Sequence, residues 1–261
     1  VLIAFAEQTR VFPASLAELL LLIVALSMLI TPLLFILYER LTHRLGDIDH
    51  PEPDEIDTQG RIIIAGIGRF GRVVNRMIQA AGFKATVLDN DLDTIRLMRR
   101  FGYKTYYGDP TNPALLEAAG LGTADVLVVA INDPDKAITL VEYARRQRPD
   151  LTILARARDR ISTYQLVRAG ATRTVRETFD ASLRAGRYVL EALDVSEFDA
   201  YEHEKSFFKH ERHTLKELAE VWDPNVPLDQ NKDYIERARD LQSEYQAEIT
   251  KATVQKRSGP R

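Results

Sequence analysis

The chain lacks cysteine altogether. Disulfides and thiolate metal sites are thereby excluded, and the composition fits exposure to the cytosol. A dominant charge is missing too: the formal net charge is -3, too small to suggest a bulk electrostatic partner such as nucleic acid. The five histidines, His43, His50, His203, His210 and His213, include no pair at metal-ligand spacing with acidic partners on one rigid element, so no metal centre is expected. Nor do a nucleophile, a base and an orienting group fall into a recognisable arrangement. No second domain large enough to hold a substrate follows the α/β region. The pattern calls for a site that binds and does not react.

Charge is also absent from Leu19 to Tyr38, LLLLIVALSMLITPLLFILY. About 20 apolar residues at a rise of 1.5 Å suffice to cross a hydrocarbon core of roughly 30 Å, so a transmembrane helix is expected over about 16–38. Pro32 is awkward in a soluble helix but tolerated in a spanning helix that packs against others. The run is too long for a signal peptide, and no small-residue cleavage site follows it. Arg40, His43 and Arg44 come after the span, whereas only Arg10 is basic before it. The positive-inside bias therefore puts the residues after about 40 in the cytoplasm. Val1 to Ala6 read as the tail of a preceding span and Gln8 to Ala14 as an outside turn. On that reading residues 1–45 are the end of the membrane domain of a longer, polytopic chain.

Residues 46–60 read as a linker. His50 to Gly60, HPEPDEIDTQG, holds two prolines, a run of acids and little that can pack, as expected of a solvated connection. Beyond it strand and helix patterns alternate. Strands are predicted at Arg61–Ala65, Ala85–Leu88, Lys104–Tyr107, Val126–Ala130, Thr152–Ala155 and Arg173–Val175. Helices are predicted at Phe70–Ala81, Asp91–Phe101, Pro113–Ala119, Pro134–Gln147, Ile161–Ala169 and Phe179–Leu193. The first strand is a continuous apolar run suited to burial on both faces. The alternation predicts an α/β fold, a Rossmann-like doubly wound parallel sheet over residues 61–195. Residues 196–261 form a mostly helical tail, broken at Asp223-Pro224-Asn225-Val226-Pro227. Phe198, Phe207, Phe208 and Trp222 point to packing there, with a partner subunit as one candidate surface. Lys232 to Ala252 read as a solvated amphipathic helix and Gln255 to Arg261 as a disordered end.

The chemistry concentrates between Gly66 and Asp89. Gly66-Ile67-Gly68-Arg69-Phe70-Gly71 follows a strand and opens a helix, and an acid ends the next strand. Gly66 permits the tight turn, Gly68 lets backbone approach a phosphate, and Gly71 lets helix pack closely on strand. Amides at the helix start and the helix dipole favour an anion there. Asp89 accepts from ribose hydroxyls and its charge repels a 2′-phosphate, which favours adenosine ligands or NAD over NADP. Arg69 is either a phosphate clamp or a surface arginine. Asp109 and Pro110, after the third strand, belong beside the adenine pocket, or their loop caps the helix at Pro113. Ala130 and Asn132, after the fourth strand, form another wall. The expected nucleotide-binding set is thus Gly66, Gly68, Arg69, Phe70, Gly71, Asp89, Asn90, Asp109, Pro110, Ala130 and Asn132. Arg156 and Arg158, after the fifth strand, meet anionic ligand groups or pair with Asp159 or Glu177. Arg176, after the sixth, meets an acidic effector or forms a salt bridge.

These residues carry a resemblance to a family. Val24-Ala25-Leu26-Ser27-Met28 and Thr31-Pro32-Leu33 in the span, the glycine loop, Tyr107-Gly108-Asp109, Ala155-Arg156-Ala157-Arg158-Asp159 and Arg176-Glu177-Thr178-Phe179 together resemble Kef-type potassium-efflux antiporters of the cation:proton antiporter superfamily. The likeness extends to about Leu193. It implies a KTN/RCK domain that forms a homodimer, binds AMP or NAD(H), and gates potassium–proton exchange by a membrane domain upstream in the same chain, in the inner membrane of a bacterium. It also implies control by glutathione near the dimer interface, with Arg76 and Arg176 matching effector-site arginines; Arg156, from its strand-end position, completes the expected effector set. Glu211 stands where the glutathione-gated members have Asn, and an acid there repels glutathione carboxylates; this departure counts against glutathione control and not against nucleotide binding. The alternatives are a Trk-type potassium-uptake regulator, which is a separate soluble subunit, and a membrane-anchored NAD-dependent oxidoreductase, which needs a catalytic acid or base and a substrate pocket.

Overall fold

The computed structural model of the protein describes residues 13–45 and 52–258. The expected preceding span, most of the outside turn and the first part of the linker lie outside these residues. The chain divides into two compact units, Val1–Glu52 and Pro53–Arg261.

The first unit contains one described helix, α1 (Ala14–Leu45). Its stretch Glu18–Tyr38, 21 residues with a mean hydropathy of 2.9, is long and apolar enough to cross a membrane, and none of it is buried within the protein. Ser27 and Thr31 donate their hydroxyls to the carbonyls of Val24 and Ser27 at 2.8 and 2.6 Å. Both polar groups are therefore satisfied inside the helix in the turn before Pro32, as a helix surrounded by hydrocarbon requires.

The second unit is built on a six-stranded sheet: β1 (Ile62–Ala65), β2 (Ala85–Asp89), β3 (Tyr106–Tyr107), β4 (Val126–Val129), β5 (Thr152–Ala157) and β6 (Arg173–Arg176). Every neighbouring pair is parallel, and the order is β3-β2-β1-β4-β5-β6. The connecting helices are α2 (Arg69–Ala80), α3 (Leu92–Arg100), α4 (Pro113–Ala118), α5 (Pro134–Gln147) and α6 (Arg160–Ala169), and α7 (Phe179–Ala192) follows β6. This is the doubly wound α/β arrangement that the sequence predicts. In the central strand Ile63, Ile64 and Ala65 are fully buried, because helices cover both faces. Phe70, Val74 and Ile78 of α2 with Leu92, Ile95 and Met98 of α3 pack on one face. Leu115 and Leu116 of α4, Leu140 and Val141 of α5 and Leu166 of α6 pack on the other. Each such Leu or Ile, fully buried, stabilises the fold by about 1.5–3 kcal/mol.

Local signals fix where the helices start. Asp91 caps α3 by accepting from the amides of Asp93 and Thr94. Asn112 caps α4 and Asp133 caps α5, each followed by Pro at the first helical position, where a missing N–H costs nothing. Asp159 and Ser162 form a capping box at α6.

Two regions differ from expectation. Residues 53–60, read as solvated linker, form a strap along the edge strand β3. The Asp54 amide donates to the Tyr107 carbonyl at 3.0 Å, the Tyr107 amide donates back to the Asp54 carboxylate, and Arg99 reaches that carboxylate at 2.5 Å. Lys104 donates to Asp57 at 2.7 Å and Tyr106 also bonds it, which holds the Asp57 carboxyl down at about 2. Gln59 donates to the Ala118 carbonyl at 2.8 Å, and Ile56 packs on the core. Acids that look solvated in sequence are here the partners of an unpaired sheet edge and its basic neighbours. β3 itself is shorter than expected, only Tyr106–Tyr107.

The tail folds as α8 (Glu197–Val221) and α9 (Lys232–Ser258), separated at the expected break. It is less solvated than its charge suggests. Leu218 of α8 and Tyr234 and Leu241 of α9 form a third buried cluster with Tyr164 of α6, and Trp222 packs at a tilt against Tyr164 with ring centroids 5.4 Å apart. α9 runs on through Gln255 to Ser258, so the expected disordered end is helical that far; 259–261 lie outside the described residues. Phe198 remains 71% exposed.

Candidate nucleotide-binding site

The strand order reverses between β1 and β4, so the loops after these two strands part and leave a crevice at their carboxyl ends. A cavity of about 370 Å³ lies there, lined by Gly66, Gly68, Asp89, Asn90, Pro110, Ala130 and Asn132 of the expected set, together with Asp91, Thr94, Ile131, Asp133 and Lys136.

The three glycines perform three different tasks. Gly66 has φ +101, and a Cβ on it would sit 2.8 Å from the Ala130 carbonyl oxygen, so the β1–α2 turn needs the bare backbone for both reasons. A Cβ on Gly71 would collide with the Gly66 carbonyl, so Gly71 sets the contact between helix and turn. At Gly68 a Cβ would meet nothing within 4 Å, and its φ of -63 suits any residue. Gly68 leaves open space inside the crevice and is not required by the local fold. It is also the N-cap of α2, without a side-chain cap and with no acid in the first turn. Where α3, α4, α5 and α6 are capped by side chains, the starts of α2 and α7 are not, and α2 alone of these two also has no acid in its first turn.

Asp89 is 9% exposed. One carboxylate oxygen accepts from the Ile67 amide at 2.6 Å and the other from the Asp91 amide at 2.8 Å. The side chain thus anchors the glycine loop. A carboxylate has about four acceptor positions, so capacity remains on the side that lines the cavity. Asp109 stands just behind the lining. Its carboxylate accepts from the Thr111 amide and hydroxyl at 2.9 and 2.8 Å and pairs with Lys136 at 3.0 Å. Burial pushes the Asp109 carboxyl up, but the bonds from Thr111 and Lys136 outweigh it and hold it below the usual carboxylate range. The cap of α4 is Asn112 and not Asp109, whose carboxylate instead holds Thr111 and Lys136.

Arg69, Phe70 and Gly71 do not line the cavity. Phe70 packs into the core under α2. The Arg69 side chain is 87% exposed, with its guanidinium 3.7 Å from Glu177. Lys136 is the residue that sequence reasoning missed. Its signal was its place in the first turn of a helix that begins at the carboxyl end of a strand.

The arginines expected to meet an effector are dispersed. Arg76 is exposed on the outer face of α2. Arg156 donates to the Ile131 carbonyl at 2.8 Å and pairs with Glu177 at 3.3 Å. Arg176 pairs with Glu211 of α8 at 2.7 Å and lies 3.9 Å from the centroid of the Phe179 ring. Arg160 grips the same Glu211 with two bonds of 3.0 and 2.7 Å. Glu211 is only 4% exposed. Burial pushes its carboxyl up, but hydrogen bonds from Arg160 and Arg176 prevail and hold it below the usual range. Among the described residues no cluster of His, Asp or Glu is arranged to hold a metal ion.

The parallel sheet with its order reversal, the glycine turn and the acid closing β2 together define a Rossmann-like nucleotide-binding domain of the KTN/RCK kind. Comparison with known proteins agrees and goes further. Residues 62–177 match the TrkA-N domain, and residues 181–257 match the potassium efflux system KefB C-terminal domain. The chain is 42% identical over 221 residues, 84% of its length, to the glutathione-regulated potassium-efflux system protein KefC of Cronobacter sakazakii. It is 41% identical over 217 residues, 83% of its length, to the protein of that name from Escherichia coli. The solved C-terminal domain of a Kef protein from Shewanella denitrificans, in its AMP-bound form, is 42% identical, with a TM-score of 0.58; the match covers 62% of this chain and 99% of that one. The chain belongs to the Kef family of potassium-efflux systems, of which it carries the C-terminal regulatory part. It spans about a third of the length of these curated relatives, 36% and 35%.

Proposed function

We propose that this chain is the nucleotide-sensing part of a potassium–proton antiporter, and that an adenine nucleotide bound in the β1/β4 crevice regulates transport without being consumed. The observation that carries this reading is the uncapped start of α2, with the open space at Gly68, facing the same cavity as Asp89. Phosphate seats on the α2 amides, ribose hydroxyls bond Asp89, and the base lies towards Asn90 and Pro110. Arg69 is held only by an exposed, 3.7 Å pair and turns to the phosphate. At about 370 Å³ the cavity lies at the small end of the roughly 300–1,000 Å³ range of ligand sites, which favours AMP over a dinucleotide. The AMP-bound Kef domain of Shewanella denitrificans supports the same choice.

Nucleotide acts by binding one arrangement of a homodimer of these domains better than another. The shift reaches α1, the last membrane helix, through the connecting residues, with the second unit in the cytoplasm of a bacterial cell. The match of residues 181–257 to the KefB C-terminal domain favours efflux over Trk-type uptake. On this reading the site binds the nucleotide and does not turn it over. Glutathione is the weaker effector on this reading: Arg176 and Arg156 are already held by Glu211 and Glu177, and an acidic tripeptide has to displace an internal carboxylate.

Calorimetric titration of the purified chain in detergent with AMP, NADH and glutathione tests this. AMP binds most tightly and glutathione gives no saturable heat. Saturable glutathione binding without any AMP binding overturns the reading.

A further inference from the structure

The strap that runs from Pro53 to Gly60 touches the nucleotide site from behind. Asp54 exchanges two hydrogen bonds with Tyr107, amide to carbonyl and carboxylate to amide. Pro53 lies against the next residue, where a Cβ on Gly108 would come within 3.3 Å of the Pro53 Cβ. Gly108 in turn donates its amide to the Asp89 carbonyl at 2.9 Å. Asp89 and Pro110 line the crevice, and Asp109 holds Lys136, which lines it too. Residues 107–110 are therefore a single wall, with the strap on its outer side and the nucleotide crevice on its inner side. β3 is two residues long and lies at the edge of the sheet. A short edge strand gives that wall little support of its own; the strap adds backbone pairing and two charged clamps, Asp54 to Arg99 and Asp57 to Lys104.

We infer that Asp54 and Asp57 are positioning residues of the nucleotide site: the docked strap seats the Gly108–Pro110 wall, and nucleotide and strap tighten each other. The inference deepens the nucleotide reading above and rests on it. Linkage makes the effect reciprocal. A strap that raises nucleotide affinity is held more firmly when nucleotide is bound, and residues 46–52 join it in sequence to α1.

The experiment pairs two readouts on the purified chain in detergent. Hydrogen exchange at the Asp54 and Tyr107 amides is followed with and without saturating AMP, and the AMP dissociation constant is measured for the wild type, Asp54→Ala, Asp57→Asn and Asp54→Glu. Exchange at both amides slows at least about fivefold with AMP, and Asp54→Ala and Asp57→Asn weaken AMP by a comparable factor. Asp54→Glu keeps the charge and recovers part of the affinity, which a general loss of folding does not explain. In Gly68→Val, AMP leaves strap exchange unchanged. AMP binding to the wild type with no change in strap exchange overturns the inference and leaves the nucleotide reading intact. No AMP binding to the wild type overturns both.

Discussion

Two polar places in the second unit, one at the β1/β4 crevice and one beyond β6, behave oppositely. The crevice between β1 and β4 keeps some of its polar groups available: the first amides of α2 have no side-chain cap, and Asp89 retains acceptor capacity towards a cavity. At the other end of the sheet, beyond β6, polar groups consume one another. Glu211 is enclosed by Arg160 and Arg176, and Arg156 is spent on Glu177 and a backbone carbonyl. An arginine at a strand end is thus no indicator of a ligand until its partners are known. A site that binds is marked by groups that the fold leaves unsatisfied, and a clamp that holds helices together is marked by groups that it does not.

The sharpest way to break this comparison is to remove Glu211. Glu211→Ala strands two guanidinium groups, one largely buried, and lowers stability by about 3 kcal/mol, the lower end for a broken buried pair because Arg160 is partly solvated. AMP affinity stays unchanged. Denaturant unfolding and calorimetry read the two effects, and a variant that loses AMP binding while remaining folded would erase the distinction. The mirror experiment is Gly68→Val. Its side chain fills the open crevice and weakens AMP by about 100-fold, close to 2.7 kcal/mol, while the unfolding midpoint hardly moves. The midpoint falls in Gly71→Ala, where the added methyl collides with the Gly66 carbonyl.

A smaller effect follows from pH. The folded carboxyl of Glu211 titrates below its ordinary 4.5. Its contribution is therefore complete above pH 4.5 and is lost as pH falls through the depressed folded value. The wild type accordingly loses its stability margin over Glu211→Gln as the pH is taken from neutral to below its ordinary 4.5, as thermal unfolding at each pH reads out. A constant difference between the two across that window refutes the assignment.

Much of the fold and the geometry of the glycine turn was legible in the sequence. Gly66, Gly68, Gly71 and Asp89 lie within one strand-turn-helix-strand stretch, where hydrophobic periodicity and glycine punctuation are local signals. The limits of the predicted α5 agree with the structure, because Asp133 and Pro134 mark its start in the sequence itself. The strap was not legible. Asp54 meets Arg99, 45 positions away, and Asp57 meets Lys104, 47 positions away, so in sequence it reads as a run of acids between prolines. Glu211 was recognised as an acid out of place, but its partners lie 51 and 35 positions off. An anion that repels a ligand and an anion that neutralises two arginines are the same letter.

The sequence alone determined the alternation of strands and helices, the apolar helix around Pro32 and the chemistry of the glycine turn, because backbone sterics, helix capping and apolar periodicity act over a few residues. Only the tertiary structure decided which charges are spent and which are kept. A charged group's role depends on the dielectric around it and on the partner within about 3 Å, and that partner is chosen when segments distant in the chain are brought to the same sheet edge.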